Sequence, residues 1–102
     1  MAIMGSKPNK KAGETITQDC VIVNKLGLHA RPAALFVKTS NRFESDITVE
    51  KDGEQVNGKS IMGLMMLAAG CGSKIHIKAA GPDAKEAISE IEKLISRKFD
   101  EE

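Results

Sequence analysis

From Ala84 to Ile95 the residues Ala84, Ala87, Ile88, Ile91, Leu94 and Ile95 recur at i, i+3, i+4, i+7, i+10 and i+11. This spacing gathers them on one stripe of an α-helix, and such a stripe must be buried against another apolar surface. The rest of the chain offers mainly short strands as cover. Cys20-Val21-Ile22-Val23, within Gln18 to Val23, is a β-branched run that reads as a buried strand. Lys74-Ile75-His76-Ile77-Lys78 alternates polar and apolar residues, as a half-buried strand does. Ile47-Thr48-Val49 and Gln55-Val56-Asn57 flank Lys51-Asp52-Gly53-Glu54. Asp-Gly supplies the positive φ of a tight hairpin there. Two shorter helices complete the pattern, one from Pro32 to about Arg42 and one from Ser60 to Ala69, ended by Gly70 and Gly72. The order β-α-β-β-α-β-α predicts an α+β domain: a four-stranded antiparallel sheet covered on one face by three helices.

A chain of 102 residues holds one such domain. Residues 1–17 read as a flexible N-terminal tail with Pro8, Lys7, Lys10 and Lys11 and no sustained periodicity, leaving 18–102 as the domain. Aromatic residues are 3% of the chain (Phe36, Phe43 and Phe99), which argues against nucleic-acid binding by base stacking. A net charge of +1 also argues against a phosphate-backbone binder. Cys20 and Cys71 form no C-x-x-C and read as small buried apolar residues of a reducing compartment. The apolar stretch Ile61 to Gly72 is far shorter than the roughly 20 residues that cross a bilayer. No apolar run follows the N-terminal lysines, so a cytoplasmic chain without membrane insertion is expected.

Chemistry concentrates in two stretches. In Gly27-Leu28-His29-Ala30-Arg31-Pro32-Ala33, Pro32 favours extended geometry at Arg31 and fits the first turn of the following helix. His29, Ala30 and Arg31 are then expected to bend across the helix N-terminus, where unpaired N–H groups and the dipole favour anions. Arg31 adds a planar donor fork suited to phosphate. The positive helix end favours neutral, nucleophilic imidazole at His29. Local physics leaves two readings open: a phosphoryl acceptor beside an anion cradle, or a histidine that caps the helix next to an incidental arginine.

The second stretch, Lys59-Ser60-Ile61-Met62-Gly63-Leu64-Met65-Met66-Leu67-Ala68-Ala69, carries two apolar arcs when wound at about 100° per residue. Leu64, Leu67 and Ala68 share one; Ile61, Met62, Met65 and Ala69 share the other. A short surface helix needs only one. The second arc is either a wide buried contact or an exposed surface for a partner, a role methionine suits. Ser60 is most simply the N-cap. His76 points away from Ile75 and Ile77 and reads as solvated. His29, His76, Cys20 and Cys71 lack metal-ligand spacing, and no cofactor or metal is expected.

These two stretches resemble the two signatures of the HPr family, the histidine-containing phosphocarriers of the bacterial phosphoenolpyruvate-dependent phosphotransferase system. The resemblance runs from about residue 18 to 99, with the Asp-Gly hairpin and Gly81-Pro82-Asp83 before the last helix. It implies an open-faced β-sandwich, and a carrier rather than an enzyme. It implies that His29 takes a phosphoryl group on Nδ1 from phosphorylated enzyme I and passes it to enzyme IIA domains in sugar uptake or its regulation. Arg31 then steadies the transferring group. Ser60 matches the serine modified by HPr kinase/phosphorylase in lineages that have it, and Ile61, Met62 and Met65 match the partner-docking patch. The presence of His29 excludes a branch of the family that lacks the active histidine. Met66-Leu67-Ala68-Ala69 resembles regulatory branches, including the nitrogen-related relay. A monomer is expected. A non-covalent anion-binding regulatory domain is the alternative from another functional class.

Charge is unevenly spread. Cys20 to Phe43 carries Lys25, Arg31, Lys38 and Arg42, and Gln55 to Pro82 carries Lys59, Lys74 and Lys78, with no acid in either. These segments hold His29 and Ser60, which predicts an electropositive docking face and a complex with enzyme I that weakens with salt.

Overall fold

The apolar stripe of the last helix is covered by a four-stranded sheet. A computed structural model describes residues 13–101. Its elements are β1 (Glu14–Val21), α1 (Ala30–Ser40), β2 (Asp46–Lys51), β3 (Glu54–Asn57), α2 (Ile61–Met66), β4 (Lys74–Gly81) and α3 (Ala84–Ser96), followed by a short 3-10 turn, Lys98–Asp100. The sheet has the order β1-β4-β2-β3 and every neighbouring pair is antiparallel. All six stripe residues of α3 are buried. The helix lies across β1 and β4, while α1 packs on α2 and α3. Each fully buried Ile or Leu there contributes roughly 2 kcal/mol. Phe36, Leu64, Val49, Ile75 and Ile77 complete a core on one face of the sheet, so the three helices cover that face as the element order predicts.

The boundaries differ in several places; α1 ends at Ser40, β4 runs on to Gly81, and β1 ends at Val21, with Val21 and Val23 exposed rather than buried. β1 begins at Glu14, so residues 14–17, read from sequence as tail, are strand. Glu14 pairs with Gly81 and Thr17 with Lys78. The length of the partner β4 sets this end, and local composition does not report it. Residues 1–12, the rest of the expected tail, lie outside the described residues.

Helix α1 starts at Ala30 rather than Pro32, so Arg31 is helical and not extended. A proline in the first turn loses no hydrogen bond, and the clash it imposes on the preceding residue is a bias that packing overrides. Helix α2 stops at Met66, and Ala68 adopts φ 53°. The stop swaps two expectations: Ala69 is buried and Ala68 exposed.

The turn chemistry matches expectation. Asp52 and Gly53 have φ of 53° and 86°, the two positive values of a type I′ turn. Asp83 occupies the N-cap of α3, but its carboxylate reaches back to the α1–β2 connection. It accepts from Ser45 Oγ at 2.6 Å, Glu44 N at 2.9 Å and Ser45 N at 3.0 Å. The Ser45 hydroxyl, then the two amides, hold its carboxyl below the usual 3.8.

Candidate functional site

The loop before α1 is shaped by Gly27. Its φ is +73°, and a Cβ there would meet Ala69 O at 2.4 Å and Gly70 Cα at 2.7 Å. Only glycine lets the loop approach the end of α2 this closely. Leu28 N donates to Ala69 O at 2.9 Å, and Leu28 is buried. The two stretches singled out in the sequence are thereby joined, and His29 stands at their junction. Leu26, Leu28, His29, Met65, Ala68, Ala69 and Gly70 line a shallow depression of about 280 Å³.

His29 is the N-cap of α1, with extended backbone and no side-chain cap bond. The capping reading is thus met in position, although the ring makes no bond to the helix amides. Ala33 N donates to His29 O at 2.9 Å as the first intrahelical bond. The amides of Ala30 and Arg31 precede it and point along the positive end of the dipole. Arg31 is exposed and lines a depression of about 560 Å³ with Lys25, Leu26, Asp100 and Glu101.

The ring itself is turned to the C-terminal end of the chain. His29 Nε2 lies 3.0 Å from Glu101 Oε2, and Asn24 Nδ2 donates to the other oxygen, Oε1, at 3.1 Å. The same Asn24 nitrogen donates to Gly27 O at 2.9 Å. Asn24 is fully buried, and its Oδ1 has no partner among the described residues. Turning the amide over would set that oxygen against two other oxygens, so one unsatisfied acceptor is the smaller cost.

Glu101 reaches the ring because Lys98, Phe99 and Asp100 have φ of 60°, 55° and 59° and curl the chain, with Phe99 buried in the core. Sequence reasoning missed this, since Asp100-Glu101-Glu102 belongs to no motif. Asn24 stands in none of the motifs read from the sequence. The signal available for the tail was Phe99, an aromatic anchor among polar residues. The site is therefore less electropositive than the two basic segments suggest, because an acid from a distant stretch joins it.

Ser60 lies at the start of α2, where its Oγ accepts from Gly63 N at 3.0 Å, the N-cap expected of it. Leu64 and Leu67 face the core, while Ile61, Met62 and Met65 are exposed, Met62 at 71%. Met66 is exposed at 66% and Leu26 at 69%, so the apolar surface extends beyond the expected three residues and runs towards the histidine loop. His76 is solvated as expected and pairs across strands with Asp19, Nδ1 to Oδ1 2.5 Å. Cys20 is buried, but Cys71 is exposed on the α2–β4 connection, contrary to the sequence reading. Gly70 and Gly72 beside it are exposed as well, so this turn stands off the core. No group of three or more possible metal ligands occurs among the described residues.

Residues 16–97 match the family model described as PTS HPr component, phosphorylation site. The chain belongs to the HPr family. The phosphocarrier protein HPr of Treponema pallidum is 51% identical over 81 residues, 79% of this chain and 92% of the relative. The crystal structure of HPr-C-His from Thermoanaerobacter tengcongensis has a TM-score of 0.80 at 50% identity, covering 88% of this chain and 99% of that one. A crystal structure of an HPr dimer from the same organism has a TM-score of 0.69 at 54% identity, covering 78% of this chain and 92% of that one. Like its HPr relatives, the chain is a phosphocarrier of the phosphotransferase system and not an enzyme. No helix among the described residues is long and apolar enough to cross a membrane.

Proposed function

We propose that the chain accepts a phosphoryl group on His29 Nδ1 from phosphorylated enzyme I and passes it to enzyme IIA-type acceptors. The observation that carries this is the Nε2 contact with Glu101. A carboxylate only accepts, so in the neutral ring the proton sits on Nε2 and the lone pair on Nδ1. Transfer between histidines asks for in-line positioning and positive charge spread around the moving group. The Ala30 and Arg31 amides, the helix dipole and the Arg31 guanidinium supply donors and charge of that kind. Ile61, Met62 and Met65, with Met66 and Leu26 beside them, offer an apolar contact for the two partners in turn. The exchange takes place in the cytoplasm, with one copy of the chain docking at a time. A single docking face that holds both the histidine and the methionines favours this monomeric use. Sedimentation velocity at working concentration tests it, and a stable dimer would reject it.

Ser60 offers a second point of control. Phosphorylation by HPr kinase/phosphorylase would place negative charge beside Ile61 and Met62 and so alter partner choice. Incubation with that kinase and ATP should add one phosphoryl group that Ser60→Ala loses. The acceptors themselves, of sugar uptake or of the nitrogen-related branch, are distinguished by offering the phosphorylated chain to a panel of IIA domains. The primary test mixes the chain with enzyme I and radiolabelled phosphoenolpyruvate. Acid-labile label should appear on the wild type and not on His29→Ala; label that persists in the variant rejects the assignment.

A further inference from the structure

We infer that Lys25 is a specificity-determining residue of phosphoryl acceptance: its ammonium draws an acidic surface of the phosphorylated donor protein towards His29 and takes no part in the chemical step. The inference rests on His29 being the acceptor. Asn24 and Gly27 close a tight turn between them. Gly27 N donates to Asn24 O at 3.2 Å, and Asn24 Nδ2 donates to Gly27 O at 2.9 Å. Asn24 is fully buried and Gly27 holds φ +73°, so the base of the turn is fixed and its two central residues project outward. Leu26 faces α2, in the depression it shares with His29 and Met65. Lys25 is exposed and lines the other depression, with Arg31, Asp100 and Glu101.

The charges around that depression are not equivalent. Asp100 accepts from Arg97 Nε at 2.8 Å, and the two oxygens of Glu101 meet His29 and Asn24. Both acids are engaged, and the side chains of Lys25 and Arg31 have no partner among the described residues. Other cations of the two basic segments are tied down. Arg42 lies 3.9 Å from Glu90 and over the Phe43 ring, and Lys59 Nζ donates to Phe43 O at 2.8 Å. Arg31 serves the transferring group from the helix. Lys25 stands on the preceding turn, in a depression that His29 does not line, so its charge is presented to a partner and not to the ring. An exposed charge acts over about 8 Å at physiological salt, which biases encounter and register with a carboxylate on the facing surface.

Two donors separate association from chemistry: enzyme I with phosphoenolpyruvate, and phosphoramidate, which needs no protein partner. In Lys25→Gln the KM of the chain as a substrate of enzyme I should rise roughly threefold with kcat unchanged, as when one rim charge is lost from binding. The fall of kcat/KM with added salt should also be shallower in Lys25→Gln than in the wild type. Lys25→Arg, which keeps the charge, should restore both values. The phosphoramidate rate, followed by ³¹P NMR, should be the same in all three chains. A Lys25→Gln chain with the wild-type KM and salt dependence would overturn the role of Lys25. A slower phosphoramidate reaction in Lys25→Gln would overturn it too, because Lys25 would then act in the chemical step. A wild-type chain that takes no phosphoryl group from phosphoramidate or enzyme I would instead overturn the acceptor reading.

Discussion

His29 Nε2 meets Glu101 Oε2 at 3.0 Å, joining residues 72 positions apart. The contact depends on three supports: the loop geometry at Gly27, the buried amide of Asn24 and the anchor at Phe99. Each can be removed separately, and each removal has a different signature.

Gly27→Ala places a Cβ within 2.4 Å of Ala69 O at φ +73°. Backbone must shift, at a cost of about 2 kcal/mol for a strained position with a hard contact. Chemical denaturation should show that loss. Phosphoryl acceptance should fall as well, because the loop that carries His29 moves away from α2. A variant with unchanged stability would refute the close approach.

Phe99→Ala tests the anchor. Phe99 is 1% exposed, and truncating a buried phenylalanine costs about 3 kcal/mol. The left-handed residues Lys98 and Asp100 then have little to hold them curled, and Glu101 should leave the ring. The expected result is a lower denaturation midpoint together with a change in the His29 ring ¹⁵N shifts. Unchanged shifts would show that the tail is held by something else.

Stability should depend on pH through Asp83. Its carboxyl is held below the usual 3.8 by the Ser45 hydroxyl and the Glu44 and Ser45 amides. A folded pKa below the unfolded one means the unfolded chain binds more protons, so stability rises with pH across that interval. The contribution is complete above the unfolded value near 3.8 and is lost as pH falls through the folded value. Asp83→Asn should therefore flatten the acid limb of a stability profile below about pH 4. An acid limb identical to that of the wild type would contradict the connection.

The two cysteines should react unequally. Burial, then the nearby Glu92 and Asp19 charges, push the Cys20 thiol up to about 11, whereas Cys71 is exposed. Since the thiolate is the nucleophile, iodoacetamide at pH 8 should modify Cys71 and spare Cys20 in the folded chain. Peptide mapping that finds both modified at similar rates would reject the buried setting of Cys20.

Much of the architecture was legible because its signals are periodic. The stripe from Ala84 to Ile95, the alternation around Ile75 and Ile77, and Asp52-Gly53 each report a local geometry that tertiary packing then keeps. Ends were less legible: β1 extends to Glu14 because β4 extends to Gly81, a fact held in the partner strand. At the site, His29, Arg31 and Ser60 stand in recognisable strings, and Gly27 joins them for a steric reason. Asn24 and Glu101 do not. Their roles come from a left-handed curl at residues that are not glycine and from contacts between distant positions, neither of which leaves a pattern.

The measurement that bears most directly on the account is the position of the phosphoryl group. Uniformly ¹⁵N-labelled chain, phosphorylated by enzyme I and phosphoenolpyruvate, can be read by the ¹⁵N shifts of its two histidine rings and their coupling to phosphorus. The account predicts a single bond from phosphorus to Nδ1 of His29, with Nε2 still protonated and His76 unchanged. Phosphorus on Nε2 of His29, or on His76, would contradict it.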